Sequence, residues 1–355
     1  MRNSPLPLLS VVLPVYNEEA GLRANVQTLM AVLDRHALEF RFELILVNDG
    51  SRDGSLALME ELRAERPEAI GVINLLRNFG QVPAIFAGME AARGECVCVI
   101  SADLQDPPEM ILTLFRHWAR GANTILAVRA DREDSWPARW ASRLFYGAMR
   151  HYALGGLPSG GFDFFLLDQS VVERLLENPE TNGFLQGQIL QASGSTVEIP
   201  YKRKQRTAGA SGWPFLKKLK YLIDGFTAYS FTPIRLISLI GVLSFLAGVA
   251  ISIGLGAQRV FFGTRAPGWS SIMIAMFLLH GVEMFMIGVL GEYIWRALDQ
   301  VRGRPLYIVD YEKSAAHPAA ASLPGRKRTR LAPRVQGTVR YSGGREPVRF
   351  RARPR

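Results

Sequence analysis

The chain has 355 residues, with 42 Lys plus Arg against 32 Asp plus Glu, a formal charge of +10, and 48% apolar residues. Such a length and apolar content exclude a wholly disordered chain and allow one or two domains with a sizeable core. Eleven basic residues and one acid, Glu346, fall within 315–355, so residues 1–314 hold 31 charges of each sign and are neutral. The excess charge therefore belongs to the tail, and no nucleic-acid surface is legible elsewhere. In chain order, Leu6 to Val15 is apolar but interrupted by Pro7 and Pro14, and runs directly into Tyr16-Asn17-Glu18-Glu19. Without a small-residue cleavage site it reads as a first strand and its loop rather than a signal peptide, which keeps the N-terminal domain cytosolic.

Apolar runs at Leu9–Val15, Leu44–Val47, Gly71–Leu75, Val97–Ile100 and Thr124–Val128 predict buried parallel strands. Helical stretches near Ala20–His36, Asp53–Arg66, Gln81–Ala92 and Pro107–Trp118 alternate with them. This βαβ series predicts an open α/β sheet whose ligands bind beyond the carboxyl ends of the strands. Cys96 and Cys98, the only cysteines, fall two apart in the fourth strand and so share one face. They read as buried side chains; their number excludes a disulfide framework, and no His or Cys cluster accompanies them for a metal.

The strand ends carry Tyr16-Asn17-Glu18, Asn48-Asp49-Gly50-Ser51, Arg77-Asn78-Phe79-Gly80, Ser101-Ala102-Asp103-Leu104-Gln105-Asp106 and Arg129. Neither G-x-G-x-x-G nor G-x-x-x-x-G-K-[ST] occurs, which disfavours dinucleotide binding and P-loop chemistry. Acidic and amide side chains at a strand end suit a hard divalent cation shared with phosphates. Asp106-Pro107-Pro108 reads equally well as a plain helix start.

Toward the C-terminus, Leu236 to Ala257 is 22 residues without a charge, and Ser270 to Leu290 is a second apolar stretch broken only by His280 and Glu283. Each is long enough to span a hydrocarbon core of about 30 Å. The 11-residue connector from Gln258 to Gly268 allows only a hairpin, and it carries fewer basic residues than either flank, so both termini are expected on the cytoplasmic side. Ser244, Gly248, Ser252 and Gly256 place small side chains on one helix face, a packing surface within the hairpin or between subunits of a homo-oligomer. Trp213 to Phe231 mixes aromatics with Lys217, Lys218 and Lys220 and suits a helix lying at the membrane interface. His280 and Glu283 are costly in lipid, so they are expected to face a neighbouring helix or a polar cavity. The expected layout is a catalytic domain over 1–211, an interfacial region over 212–232, a membrane hairpin over 233–296, a short cytoplasmic segment over 297–314 and a disordered basic tail over 315–355 facing anionic headgroups.

Four motifs in order, Val12-Leu13-Pro14-Val15-Tyr16-Asn17-Glu18-Glu19, Val47-Asn48-Asp49-Gly50-Ser51, Arg77-Asn78-Phe79-Gly80 and Ala102-Asp103-Leu104-Gln105-Asp106-Pro107-Pro108-Glu109, resemble family 2 glycosyltransferases. The resemblance is strongest to the polyprenyl-phosphate glycosyltransferases related to dolichol-phosphate mannose synthase, and covers roughly residues 8–310. It implies a GT-A fold (a Rossmann-like, mostly parallel sheet) in a bacterial inner-membrane enzyme. The implied reaction is inverting transfer of one sugar from a UDP- or GDP-linked donor to a polyprenyl phosphate. Pro14, Tyr16 and Glu18 match positions that hold the base and ribose, and Asp49 matches the acidic residue that contacts the base. Asp103 and Gln105 match ligands for Mg²⁺ or Mn²⁺ bridging the diphosphate; Asp163 matches an acidic residue near the reacting centre; Arg203 and Arg206 match basic residues near the phosphates.

Three positions depart from that pattern. Ser101 stands where many relatives carry the first Asp of an Asp-Ala-Asp motif, Phe165 where an Arg is common, and Gly212 where a Lys is frequent. Two other readings compete. A processive polysaccharide synthase usually carries Q-x-x-R-W and more spans, whereas the only Arg-Trp pair here, Arg139-Trp140, follows Trp136. An inactive, membrane-tethered sugar-nucleotide binder is kept open by Ser101.

Overall fold

The computed structural model describes residues 6–129, 147, 150, 156–158, 161–177, 179–180, 184–201, 232–262, 268–311 and 314. The interfacial region expected around 213–231, Arg203 and Arg206, Trp136 and Trp140, and the basic tail lie outside the described residues. All five expected strands form: β1 (Leu8–Val15), β2 (Arg41–Asn48), β3 (Ile70–Asn74), β4 (Cys96–Val99) and β5 (Thr124–Arg129). Helices α1 (Glu19–Asp34), α2 (Ser55–Glu65), α3 (Gln81–Ala91) and α4 (Met110–Ala119) connect them. The fourth starts later than expected. Pro107 and Pro108 precede it in a turn, and the Asp106 carboxylate accepts a hydrogen bond from the Tyr201 hydroxyl instead of capping the helix.

Two strands escaped the sequence reading. β6 (Phe164–Asp168) is followed by α5 (Gln169–Glu177) and α6 (Leu185–Ala192), and β7 (Val197–Tyr201) closes the sheet. β6 is a short run, apolar up to its last residue Asp168 and without alternation, so its period carries no strand signal. The sheet order is β3-β2-β1-β4-β6-β5-β7. Four of its six strand pairs are parallel; β6 alone runs antiparallel to both neighbours, β4 and β5. This is the mixed α/β sheet that the GT-A resemblance implied.

Side-chain alternation divides the core into two layers. Leu9, Val11, Leu13 and Val15 of β1 pack with α1, α2 and α4 on one face, while Val12, Ile45 and Val47 pack with α3, α5 and α6 on the other. Helix α3 lies so close to the sheet that a Cβ on Gly88 would come within 2.3 Å of Val12 Cγ1. Cys96 and Cys98 are buried together in the first layer, and burial raises both thiol pKa values far above the usual range, leaving them inert.

The two apolar stretches lie in long helices, α7 (Thr232–Phe262) and α8 (Trp269–Arg302), which touch where Gly241 approaches Met286. At 1.5 Å per residue they are about 46 and 51 Å long. Among the described residues, one segment, Ile234–Ile251 of α7, is long and apolar enough to cross a membrane. In α8, His280 and Glu283 interrupt the apolar run; they lie 3.6 Å apart on adjacent turns and are exposed on the protomer rather than enclosed by it. Gly303 ends α8 in the left-handed conformation, and the chain then returns to the sheet, where Val309 bridges Leu75 next to β3.

Candidate active site

Parallel strands bring their carboxyl ends to one rim, and the antiparallel β6 brings its start, Asp163, to that same rim. The sequence-derived candidates that the structure describes therefore gather along one edge of the sheet, in two groups.

The first group joins the loops after β1, β2 and β3. Asn17 adopts a left-handed backbone, its amide donates to Ser51 Oγ (3.1 Å), and its side chain accepts from the Arg52 amide (2.8 Å). The Glu18 amide donates to Ser55 Oγ (3.0 Å), so the loop bearing Tyr16 and Glu18 is laced to the turn bearing Asp49. Tyr16 leaves 43% of its surface open at this rim. Pro14, the last-but-one residue of β1, is half-buried.

Asp49 is buried and holds the following loop. It accepts hydrogen bonds from the Phe79 amide (2.7 Å), the Gly80 amide (3.0 Å) and Asn78 Nδ2 (3.1 Å). Burial pushes its pKa above the ordinary carboxylate range, while the two amides pull the other way. Gly50 turns through φ +64°, and a Cβ there would lie 2.4 Å from the Arg77 carbonyl carbon and the Asn78 nitrogen. Gly50→Ala is therefore expected to cost at least about 2 kcal/mol. For a catalytic region of this size that lowers the melting temperature by about 4–8 °C, measurable by intrinsic fluorescence.

The second group comes from the turn after β4, the last residues of β5 and β7, and Asp163 just before β6. Leu104 is buried with a left-handed φ of +43°, so the chain reverses between Asp103 and Gln105, and the Gln105 amide donates to Asp103 Oδ1 (3.3 Å). The Asn25 side chain fastens this turn through the Ala102 carbonyl (2.9 Å). Asp103 and Gln105 are hard oxygen donors, the chemistry that Mg²⁺ and Mn²⁺ prefer. Among the described residues no three His, Cys, Asp or Glu side chains gather to hold an ion.

Beside it runs a polar network that sequence reasoning missed. Arg129 Nη2 donates to Asp163 Oδ2 (2.6 Å), and Gln186 Nε2 donates to Asp163 Oδ1 (3.2 Å) and to the Phe162 carbonyl (3.0 Å). Arg129 pairs in register with Tyr201, whose hydroxyl reaches Asp106. Burial would lower the Arg129 pKa, but Asp163 and Tyr201 outweigh it and hold the guanidinium charged; burial and Asp106 push the Tyr201 phenol up. Asp163 is thus oriented from two sides while 48% of its side chain stays exposed. Arg129 stood at a strand end in the sequence, a signal that could have found it. Gln186 carried none, because α6 comes to the rim only through tertiary packing.

The sequence model of glycosyl transferase family 2 matches residues 10–176, taking in both groups up to Asp163. A bactoprenol glucosyl transferase of Shigella flexneri, derived from prophage SfII, is 34% identical over 306 residues, 85% of this chain and 97% of that protein. The chain belongs to glycosyl transferase family 2. An undecaprenyl-phosphate 4-deoxy-4-formamido-L-arabinose transferase of Pseudomonas aeruginosa is 35% identical over 313 residues, 87% of this chain and 91% of the relative. An uncharacterized glycosyltransferase of Bacillus subtilis, YkcC, is 35% identical over 301 residues, 84% and 92% of the two chains. Among solved structures, the mannosyltransferase PcManGT from Pyrobaculum calidifontis, in complex with GDP-Man and Mn²⁺, aligns with a TM-score of 0.48 at 16% identity, covering 83% of this chain and 87% of that one.

Proposed function

We propose that this family 2 enzyme is an inverting, membrane-bound glycosyltransferase that moves one sugar from a UDP- or GDP-linked donor to a polyprenyl phosphate. The observation that carries the reading is the extent of similarity to enzymes named for bactoprenol and undecaprenyl phosphate. At 85–87% of the chain it reaches beyond the sheet into α7 and α8. In this reading residues 1–211 are the cytoplasmic catalytic domain, 212–232 lie at the interface, α7 and α8 form a membrane hairpin, and the basic tail faces anionic headgroups.

The Tyr16 and Asp49 loops receive the nucleotide. Asp103 and Gln105 would hold Mg²⁺ or Mn²⁺, and the cation would supply neutralisation of the charge on the departing nucleoside diphosphate. The lipid phosphate is anionic at neutral pH and needs little base catalysis. Its oxygen forms the new bond to the anomeric carbon as the bond to the diphosphate breaks on the opposite face. Asp163, held by Arg129 and Gln186, orients the acceptor rather than removing a proton. Arg203 and Arg206 neutralise the acceptor phosphate.

The test is incubation of the detergent-purified, full-length protein with undecaprenyl phosphate and a panel of UDP- and GDP-sugars. Lipid-linked monosaccharide is expected with one donor class, lost on chelation and restored by Mg²⁺ or Mn²⁺. A protein that consumes no donor in any combination is not this enzyme.

A further inference from the structure

The chain that follows α8 does more than end the membrane region. β3 is the outer strand of the sheet, and an open edge presents unpaired amides and carbonyls. Residues 308–310 pair with the end of that edge, beside Asn74–Leu76. The Leu76 amide donates to the Ile308 carbonyl (2.9 Å) and the Asp310 amide to the Asn74 carbonyl (2.8 Å), on either side of the Leu75–Val309 bridge. Leu306, Tyr307 and Val309 pack against the core layer that contains α3, and the Tyr307 hydroxyl donates to Glu90 on that helix.

From this seam a directional set of hydrogen bonds runs to the first group of site loops. Asn74 Nδ2 donates to Asp310 Oδ2 (3.3 Å), and the Asn74 amide donates to Ser314 Oγ (2.9 Å). Asn74 Oδ1 accepts from Asn48 Nδ2 (2.6 Å), and Asn48 Oδ1 accepts from the Ser51 amide (3.1 Å). Both asparagines are buried register partners at the ends of β2 and β3. The Ser51 amide can only donate, which fixes the Asn48 carboxamide, which in turn fixes Asn74 and leaves its NH₂ for an acceptor. Asp310 supplies that acceptor from 236 residues away in sequence. Ser51 then bonds Asn17, between Tyr16 and Glu18.

We infer that Asn74 is a positioning residue for the nucleotide sugar, and that docking of the post-α8 segment on β3 sets, through Asn74 and Asn48, the shape of the 48–51 turn. This rests on the donor reading above. It also ties the end of the second long helix to the nucleotide loops, independently of the cation turn.

The pairing can be reversed. Asn74→Asp faces one carboxylate with another, and adding Asp310→Asn restores a donor opposite an acceptor. With full-length protein in detergent, Asn74→Asp is expected to speed amide exchange in peptides covering 48–54 about tenfold. It is also expected to raise KM for UDP-glucose or GDP-mannose, whichever is the donor, without changing KM for undecaprenyl phosphate; the double variant is expected to return both readouts toward wild type. Unchanged exchange at 48–54 in folded Asn74→Asp, or donor and lipid KM rising together, overturns the inference. Should Asn74→Asp fail to fold, Asp310→Ala decides by the same exchange measurement, with unchanged exchange overturning it. A wild-type protein without transfer activity overturns the proposed function instead, and the exchange comparison still judges the relay.

Discussion

Asp103→Asn is expected to lower turnover about a thousandfold, the upper range for removing one preorganised charge contact at a reacting centre. Ser101, Ala102, Leu104 and Gln105 are uncharged, so Asp103 is the one carboxylate of the Ser101–Gln105 turn. The substitution keeps side-chain volume, and an amide oxygen can still accept from the Gln105 amide as the carboxylate does. The turn itself is held by Asn25 and by the buried Leu104, so the variant is expected to melt within about 2 °C of wild type, as substitutions away from core packing usually do. The loss should therefore fall on the cation. Half-saturation by Mg²⁺ or Mn²⁺ is expected to move to much higher concentration, and a variant keeping more than a tenth of wild-type turnover at the wild-type metal optimum would remove Asp103 from the cation's shell.

Arg129→Met is expected to lower kcat/KM about a hundredfold and to destabilise the fold by about 2 kcal/mol. Only 17% of the Arg129 side chain is exposed, and its guanidinium is shared between Asp163 and the Tyr201 edge of the network. Breaking a fully buried pair costs about 3–5 kcal/mol. Asp163 is half-exposed and can be rehydrated, which places the expected cost below that range. Activity is expected to suffer more than stability, because among the described residues Gln186 alone then holds Asp163, which in the proposed reading orients the acceptor. Arg129→Lys keeps the charge but loses the planar fork, and is expected to fall between wild type and Met. The orienting role predicts that Asp163→Asn and Arg129→Met are not additive in kcat/KM; additive losses would separate the two residues.

The strand-end loops of the site were legible in the sequence because they are local. In a βαβ series each strand end is followed at once by its own loop, so Tyr16, Asp49, Asp103 and Gln105 could be placed on the rim by counting apolar runs. Helix α7 was legible for the same reason, since an uninterrupted apolar stretch needs no partner to be recognised. The roles of the strand-end residues were less so. Asp49 showed as an acidic residue at a strand end, whereas the structure turns its carboxylate toward the backbone of the 78–80 loop. Asp106 read as a helix start, and the fold gives it to Tyr201.

By itself, then, the sequence determined the alternating sheet, the order of its acidic turns, the family to which the chain belongs and the apolar length of helix α7. Only the tertiary structure decided that β6 runs backwards between β4 and β5, which delivers Asp163 to the rim beside Arg129. It alone joined Asp310 and Ser314 to Asn74 across more than two hundred residues. The division has a physical cause. Periodicity and turn chemistry depend on neighbours within a few residues, whereas strand order, antiparallel insertion and edge docking depend on which distant surfaces bury one another.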